Sequence, residues 1–268
     1  MLTGYSNIIS VTTNCFDPDA SAFIAAAGIT DATQQNAIND LVVGLKSQSL
    51  WAKMKAVYPF VGGSATSHKF NLKDPRDLDA AFRLQFNGGW THSANGATPN
   101  GTNAYADTYL IPSTHLITNN FNYSYYSRNT TSALTEIMGA WNNQSQQTQF
   151  VTNDPSGILY GDSYAVSDVR VSSSVPSFTG LLSYGRLSST SLSLFRNGNN
   201  LNTVTTPVGG TVPNVKIFLS AINVNGTPVL FTHLQCAFSS IGDGLTDTDA
   251  SNLYTLVQAF QTTLSRNV

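Results

Sequence analysis

Charge is scarce in this sequence: only 10% of its 268 residues are Asp, Glu, Lys or Arg, against about 25% in an average soluble domain. The acids are almost all Asp, and Glu136 is the lone Glu. Helix-rich domains clothe their exposed faces in Glu and Lys, so a mainly helical fold is not expected. A net charge of −2 offers no basic footprint, which argues against nucleic acid as a partner. No apolar run approaches the ~18 residues of a membrane-crossing helix, so no membrane partner is expected. The N-terminal stretch has neither a basic segment nor a long apolar one, and does not read as a signal peptide.

Reactive groups are as thin as charge. Cys15 and Cys236 are the only cysteines; they either pair across the fold or act as two small buried hydrophobes. His68, His92, His115 and His233 show no metal-ligand spacing. There is no Gly-x-Ser-x-Gly elbow, and Gly62-Gly63-Ser64 and Gly88-Gly89 lack the lysine and spacing of a phosphate loop. A glycosidase needs two carboxylates about 5 to 9.5 Å apart, but Glu136 has no acid two or four residues away. Asp74, Asp77 and Asp79 do cluster, in a turn where Arg76 and Arg83 can neutralise them. No enzyme and no obligate cofactor are expected. Calcium is the one ion considered, with Asp154, Asp162, Asp168 and Asp243 as loop candidates.

What fills the chain instead is Asn, Ser, Thr, Gln and Gly around a 41% hydrophobic content. The first part is helical. Asp17-Pro18 is an N-cap before Pro at the first helical position, and Gly28 ends that helix. Thr30 or Asp31 starts a second, with Gln34 placed to close a capping box. Ala37, Ile38, Leu41, Val42 and Leu45 form its apolar stripe, and after a break near Ser47–Ser49 Trp51, Met54 and Val57 continue the pattern to Tyr58-Pro59. The stripe is read as packing on a sandwich edge or on a neighbouring subunit. Residues 1–58 are therefore expected as a helical segment, and copies of the chain, three for a fibre-like adhesin, as partners.

From Phe60 the hydrophobic period becomes two. Ala80–Phe86, His115–Tyr126, Ser191–Phe195, Lys216–Val224 and Pro228–Phe238 read as strands. Asn197-Gly198 and Asn225-Gly226 read as tight hairpin turns. A closing helix begins at Thr246 or Asp247 and buries Ala250, Leu253, Tyr254, Val257, Phe260 and Leu264. Residues 59–268 are thus expected as a mainly β antiparallel sandwich, or jelly roll, ending in a helix.

Two resemblances add to this. Leu192–Gly198 and Phe238–Tyr254 resemble the hairpin strand, closing strand and short helix of laminin-G or concanavalin-like sandwiches, with Asp249 where that pattern often has Glu. Tyr58–Gly63, His68–Pro75, Phe86–Ser93 and Asn100–Thr108 are similar to uncharacterised bacteriophage proteins. The resemblance implies a virion or tail-associated protein with a lectin-like sandwich. It carries over no catalytic residue.

Carbohydrate sites pair aromatic faces with amides and carboxylates. Trp90, His92, Asn95, Asn103, Tyr105 and Asp107 lie in one Gly-rich loop region with that chemistry. The competing reading has Trp90 plugging the sandwich edge. Tyr123, Tyr125 and Tyr126 form a second aromatic set, in which Tyr123 and Tyr125 share a strand face. Two functions follow: a virion component that builds the particle with other virion proteins, or an adhesin that binds a host-surface glycan.

Overall fold

The computed structural model describes residues 16–131, 133–153, 156–163, 169–206 and 211–268. Along the chain come α1 (Pro18–Ala27), α2 (Ala32–Ser47), β1 (Met54–Tyr58), α3 (Ala65–His68), β2 (Gln85–Asn87), β3 (Trp90–Ser93), β4 (Gly96–Pro99) and β5 (Tyr105–Asp107). The middle holds α4 (Pro112–His115), β6 (Phe121–Ser127), β7 (Thr135–Asn143), β8 (Gln146–Asn153), β9 (Ile158–Ser163) and β10 (Val169–Ser174). Then follow β11 (Gly180–Ser188), β12 (Ser191–Arg196), β13 (Asn199–Val204), β14 (Phe218–Leu219), β15 (Ile222–Val224), β16 (Thr227–Val229), β17 (Cys236–Gly242) and α5 (Asp247–Thr263).

The described strands form two sheets. One runs β13-β12-β11-β6-β17-β4-β3, with β1 also paired to β17. The other runs β10-β9-β8-β7-β14-β5-β2, with the β15–β16 hairpin joined to β7. Their facing sides share a core that includes Tyr123, Tyr125, Tyr184, Phe150 and Leu219. The first sheet's other side is covered by the helices: Tyr126, Leu181, Phe195 and Phe238 pack with Ile38, Leu41, Val257 and Phe260. That sheet is buried on both faces, which is why every residue of β6 is buried. No second-sheet residue joins the helical cluster.

Local chemistry accounts for the ends of these elements. Asp17 accepts the Asp19 N–H, and Gly28 closes α1 at φ 65°. Asp31 caps α2 by accepting the Gln34 N–H at 2.9 Å. The expected capping box is not closed, because Gln34 Oε1 accepts the Gly62 N–H at 2.8 Å and ties the helix to a loop instead. Thr246 and Asp249 do form a reciprocal box at α5, so the shorter acid suffices there. Asn197-Gly198 (φ 50° and 74°) and Asn225-Gly226 (φ 50° and 95°) take the paired left-handed conformations of tight hairpins.

Several expectations are corrected. The α2 pattern does not continue as helix: Trp51–Lys53 is a 3-10 turn, and Met54–Tyr58 is a strand. Ala56 and Tyr58 enter the inter-sheet core, while Met54 and Val57 face the helices. One sandwich strand therefore lies before residue 59. Lys216–Val224 is two strands, broken at Ser220 (φ 68°), with β14 antiparallel and β15 parallel to β7. Ala80–Phe86 is mostly a 3-10 turn and coil, strand beginning at Gln85. His115–Tyr126 opens with the end of α4 before β6. Of Pro228–Phe238 only the two ends are strand. The stripe Ile38, Leu41, Val42, Leu45 is at most 2% exposed within its own chain, so it offers no surface to a second copy.

Candidate functional site

Across the second sheet, pairing sets Gln85 beside Asp107, Asp107 beside Phe218, and Phe218 beside Gly139. The row continues through Gln149 and Asp162 to Arg170. Residues in register share a face. Their strand neighbours Ala106, Leu219, Met138, Phe150 and Val171 point into the core, so this row points outward, on the face the helices leave uncovered.

At one end of the row lies an open depression of about 440 Å³, lined by Tyr105, Asp107, Ile111, Asn214, Val215, Lys216, Phe218, Asn223 and Gly226. That falls within the ~300–1,000 Å³ typical of small-molecule sites. Tyr105 and Asp107 alternate on β5 and so reach the same side. The Tyr105 ring rests on Phe218, with centroids 4.5 Å apart. Asp107 is 8% exposed and accepts the Lys216 ammonium at 2.8 Å and the Tyr109 N–H at 2.8 Å. Lys216 also stands 4.1 Å above the Tyr109 ring, which holds its charge over the depression. Asn223 donates to the Lys216 carbonyl and accepts the Gly226 N–H, which locks the hairpin forming the far wall. The result is an aromatic face at Tyr105 and a paired carboxylate and ammonium in which Lys216 is the more exposed member, with Asn214 and Asn223 in the lining.

Of the six residues expected to bind, only Tyr105 and Asp107 line this depression. Trp90 packs against the inter-sheet core, and its indole N–H donates to the Asn87 and Tyr105 carbonyls. It joins the two sheets at their edge. His92 packs on Phe86 and meets His68 through ring nitrogens. Asn95 lies in the β3–β4 turn, and Asn103 accepts the Gly89 N–H and the Asn100 amide. Lys216, Phe218 and Asn223 were missed. They are more than a hundred residues from Asp107, and only the β5–β14 pairing joins them.

The other acids are occupied elsewhere. Asp74, Asp77 and Asp79 pair with Arg76 and Arg83. Among the calcium candidates, Asp162 is held by Arg170 and Asp243 by Lys55, on different sheets, while Asp154 and Asp168 lie outside the described residues. Among those residues no three His, Cys, Asp or Glu gather as a metal site requires. Glu136 is fully buried, and among the described residues neither carboxyl oxygen meets a donor at hydrogen-bond geometry. Burial, with Asp162 nearby, pushes its carboxyl well above the usual range, against the Phe150 amide and Arg170. Cys236 is buried too, and Cys15 lies outside the described residues.

This arrangement defines a two-sheet antiparallel sandwich with helices on one face and an open polar-aromatic depression on the other. No protein-family model matches the chain, and no curated protein matches it. Among solved structures it is similar to the binding domain of botulinum neurotoxin DC in complex with rat synaptotagmin II: TM-score 0.56, 10% identity, 78% of this chain and 52% of that one. The botulinum neurotoxin serotype D binding domain matches at TM-score 0.55 and 8% identity, over 77% of this chain and 52% of that one. A type C neurotoxin structure, described as showing cell entry dependent upon interaction with two ganglioside molecules, matches at 0.55 and 9%, over 79% and 53%. The chain spans about half the length of each, and the likeness is one of fold.

Proposed function

We propose that this chain is a glycan-binding sandwich that attaches its bearer to a host surface through the depression around Tyr105, Asp107, Lys216 and Phe218. The observation that carries this reading is the Tyr105 face beside the Lys216–Asp107 pair at 2.8 Å. The ring supplies an apolar platform for a sugar's C–H face, and the ion pair supplies a donor and an acceptor for its hydroxyls. A type C neurotoxin of the same fold enters cells in dependence on gangliosides, so the scaffold is compatible with such a role, though a fold alone does not assign one. The bearer we propose is a bacteriophage particle, on the strength of the sequence resemblance. A particle-building role is the weaker alternative, because the helical stripe that favoured it is buried inside the chain.

A glycan array with the purified chain, repeated with Tyr105→Ala, tests this. Binding to a defined glycan set, weakened about tenfold or more by the variant at a temperature where both chains are folded, supports the reading; because the ring also packs on Phe218, the variant is expected to melt somewhat lower. An array with no bound glycan overturns it.

A further inference from the structure

The outward row that starts at the first depression ends in a second one, about 380 Å³, lined by Trp141, Gln144, Gln147, Gln149, Asp162 and Arg170. We infer that this is a second saccharide subsite, selective for uncharged sugar units, and that one glycan chain crosses the face and occupies both depressions. The inference rests on the glycan reading of the first.

Three observations carry it. The first is charge. Asp162 accepts Arg170 Nε and Nη2, each at 2.7 Å, and the guanidinium lies 3.8 Å over the Tyr160 ring. Arg170 is thus already neutralised by a fork-to-fork pair and is not waiting for an acidic ligand.

The second is the supply of uncharged hydrogen-bonding groups. Three glutamines line the depression, and Gln149 donates to the Gln147 carbonyl, which leaves the Gln149 carbonyl, its second N–H and the Gln147 N–H groups for a ligand. Sugar hydroxyls both donate and accept, so they complement amides. In the same wall the Trp141 indole N–H is shielded and has no acceptor among the described residues. A shielded N–H is closed to a ligand, so what Trp141 offers the depression that it lines is aromatic surface for a sugar's C–H face.

The third is alignment. Asp107 and Asp162 stand in one register row, four strand spacings apart through Phe218, Gly139 and Gln149. At about 4.8 Å per strand they lie ~19 Å apart, a span for several sugar rings and too long for one. Between them Gly139 carries no side chain, and Ile222 packs there: a Cβ on Gly139 would lie 3.2 Å from Ile222 Cγ1. Ile222 is 1% exposed, so the glycan of this inference crosses above that buried contact and not on it.

The test is a titration of the ¹⁵N-labelled chain with glucose, galactose, mannose, N-acetylglucosamine and lactose, and separately with glucuronic acid. Trp141→Phe assigns the Trp141 indole signal. The expected result is that a neutral sugar shifts that indole and the Gln149 amide, and that Gln149→Leu weakens the response about threefold to tenfold, as the loss of one hydrogen bond predicts. A longer oligomer of the same sugar should bind more tightly than the monosaccharide. If neutral sugars shift the backbone at Tyr105 and Lys216 but never Trp141, the second subsite is overturned while the first depression stands. If Trp141 responds and Tyr105 does not, the subsite stands alone and the chain spanning both is overturned. A response to glucuronic acid only overturns the selectivity, and no response to any sugar overturns both readings.

Discussion

The Nδ1 atoms of His68 and His92 lie 2.9 Å apart. Two imidazolium rings cannot share that contact, since each would present an N–H. Burial, reinforced by His92 and by Arg266, pushes the His68 ring down to about 3, and burial lowers His92 as well. His68 Nε2 is buried without a partner among the described residues, so a neutral ring with its proton on Nδ1 leaves only a lone pair unsatisfied there.

The pair makes the fold acid-sensitive. An unfolded His68 takes a proton near 6.5, whereas the native ring resists until about 3. Between those values the unfolded chain binds the extra proton, so this group's contribution to stability falls as pH drops below 6.5. NMR should find the His68 ring signals unmoved between pH 7 and 5. A titration of His68 centred near 6.5 would contradict the buried contact.

Glu136 acts in the opposite direction. Its native carboxyl holds the proton well above 4.5, the ordinary value at which the unfolded chain releases it. Stability from this group is complete below 4.5 and is lost as pH rises toward the raised native value. Glu136→Gln keeps the shape and removes the titration. The variant's melting temperature should gain on the parent's as pH rises from 4.5 to neutrality. A constant gap across that range would show that Glu136 is ionised in the native state.

Leu41 sits at 2% exposure between α2, α5 and the first sheet. Leu41→Asp should unfold the chain as a whole, at a cost above ~3 kcal/mol, because an unpaired charge enters a close-packed core. Circular dichroism during urea unfolding checks this. A variant that stays folded and only loses self-association would restore the stripe as an interface.

Arg266 is 1% exposed and donates to the carbonyls of Pro59, Phe60 and Ala237 and to Gln261 Oε1. It staples the chain's end to the loop after β1 and to β17. Arg266→Met fills similar space but strands several buried acceptors, each worth ~1–3 kcal/mol. A loss of at least about 3 kcal/mol in urea is expected, and a loss under 1 would mean that water replaces the guanidinium there.

Much of the fold was legible because its signals are local. Asp17, Gly28, Asp31, Thr246, Asn197-Gly198 and Asn225-Gly226 act within a few residues of themselves, and each does what its chemistry dictates. The alternation that put Tyr123 and Tyr125 on one face held, for both enter the inter-sheet core, while Tyr126 faces the helices. Met54–Tyr58 was misread because its apolar residues satisfy either period over so short a run; pairing with β17 decided it. The break at Ser220 was invisible for a related reason, since its left-handed backbone is imposed by β14 and β15 both reaching β7.

The candidate site was legible only in its residue types. The region around Tyr105 and Asp107 reads as a loop in sequence, and the pairing of β5 with β2 and β14 is what puts the two on one face; composition determined that the surface would be amide and hydroxyl rather than charge. Which side of the sandwich that face belongs to, and what stands beside it, was settled by strand order. Trp90 and His92 carry the same chemistry in sequence, yet they sit in the first sheet and turn inward, while β5 in the second sheet turns Tyr105 and Asp107 outward beside Lys216 and Phe218. Local rules act over a few residues, so the sequence alone determined caps, turns and alternation; the meeting of Asp107 with Lys216 depends on closing a long loop through a sheet, and only the tertiary structure decides that.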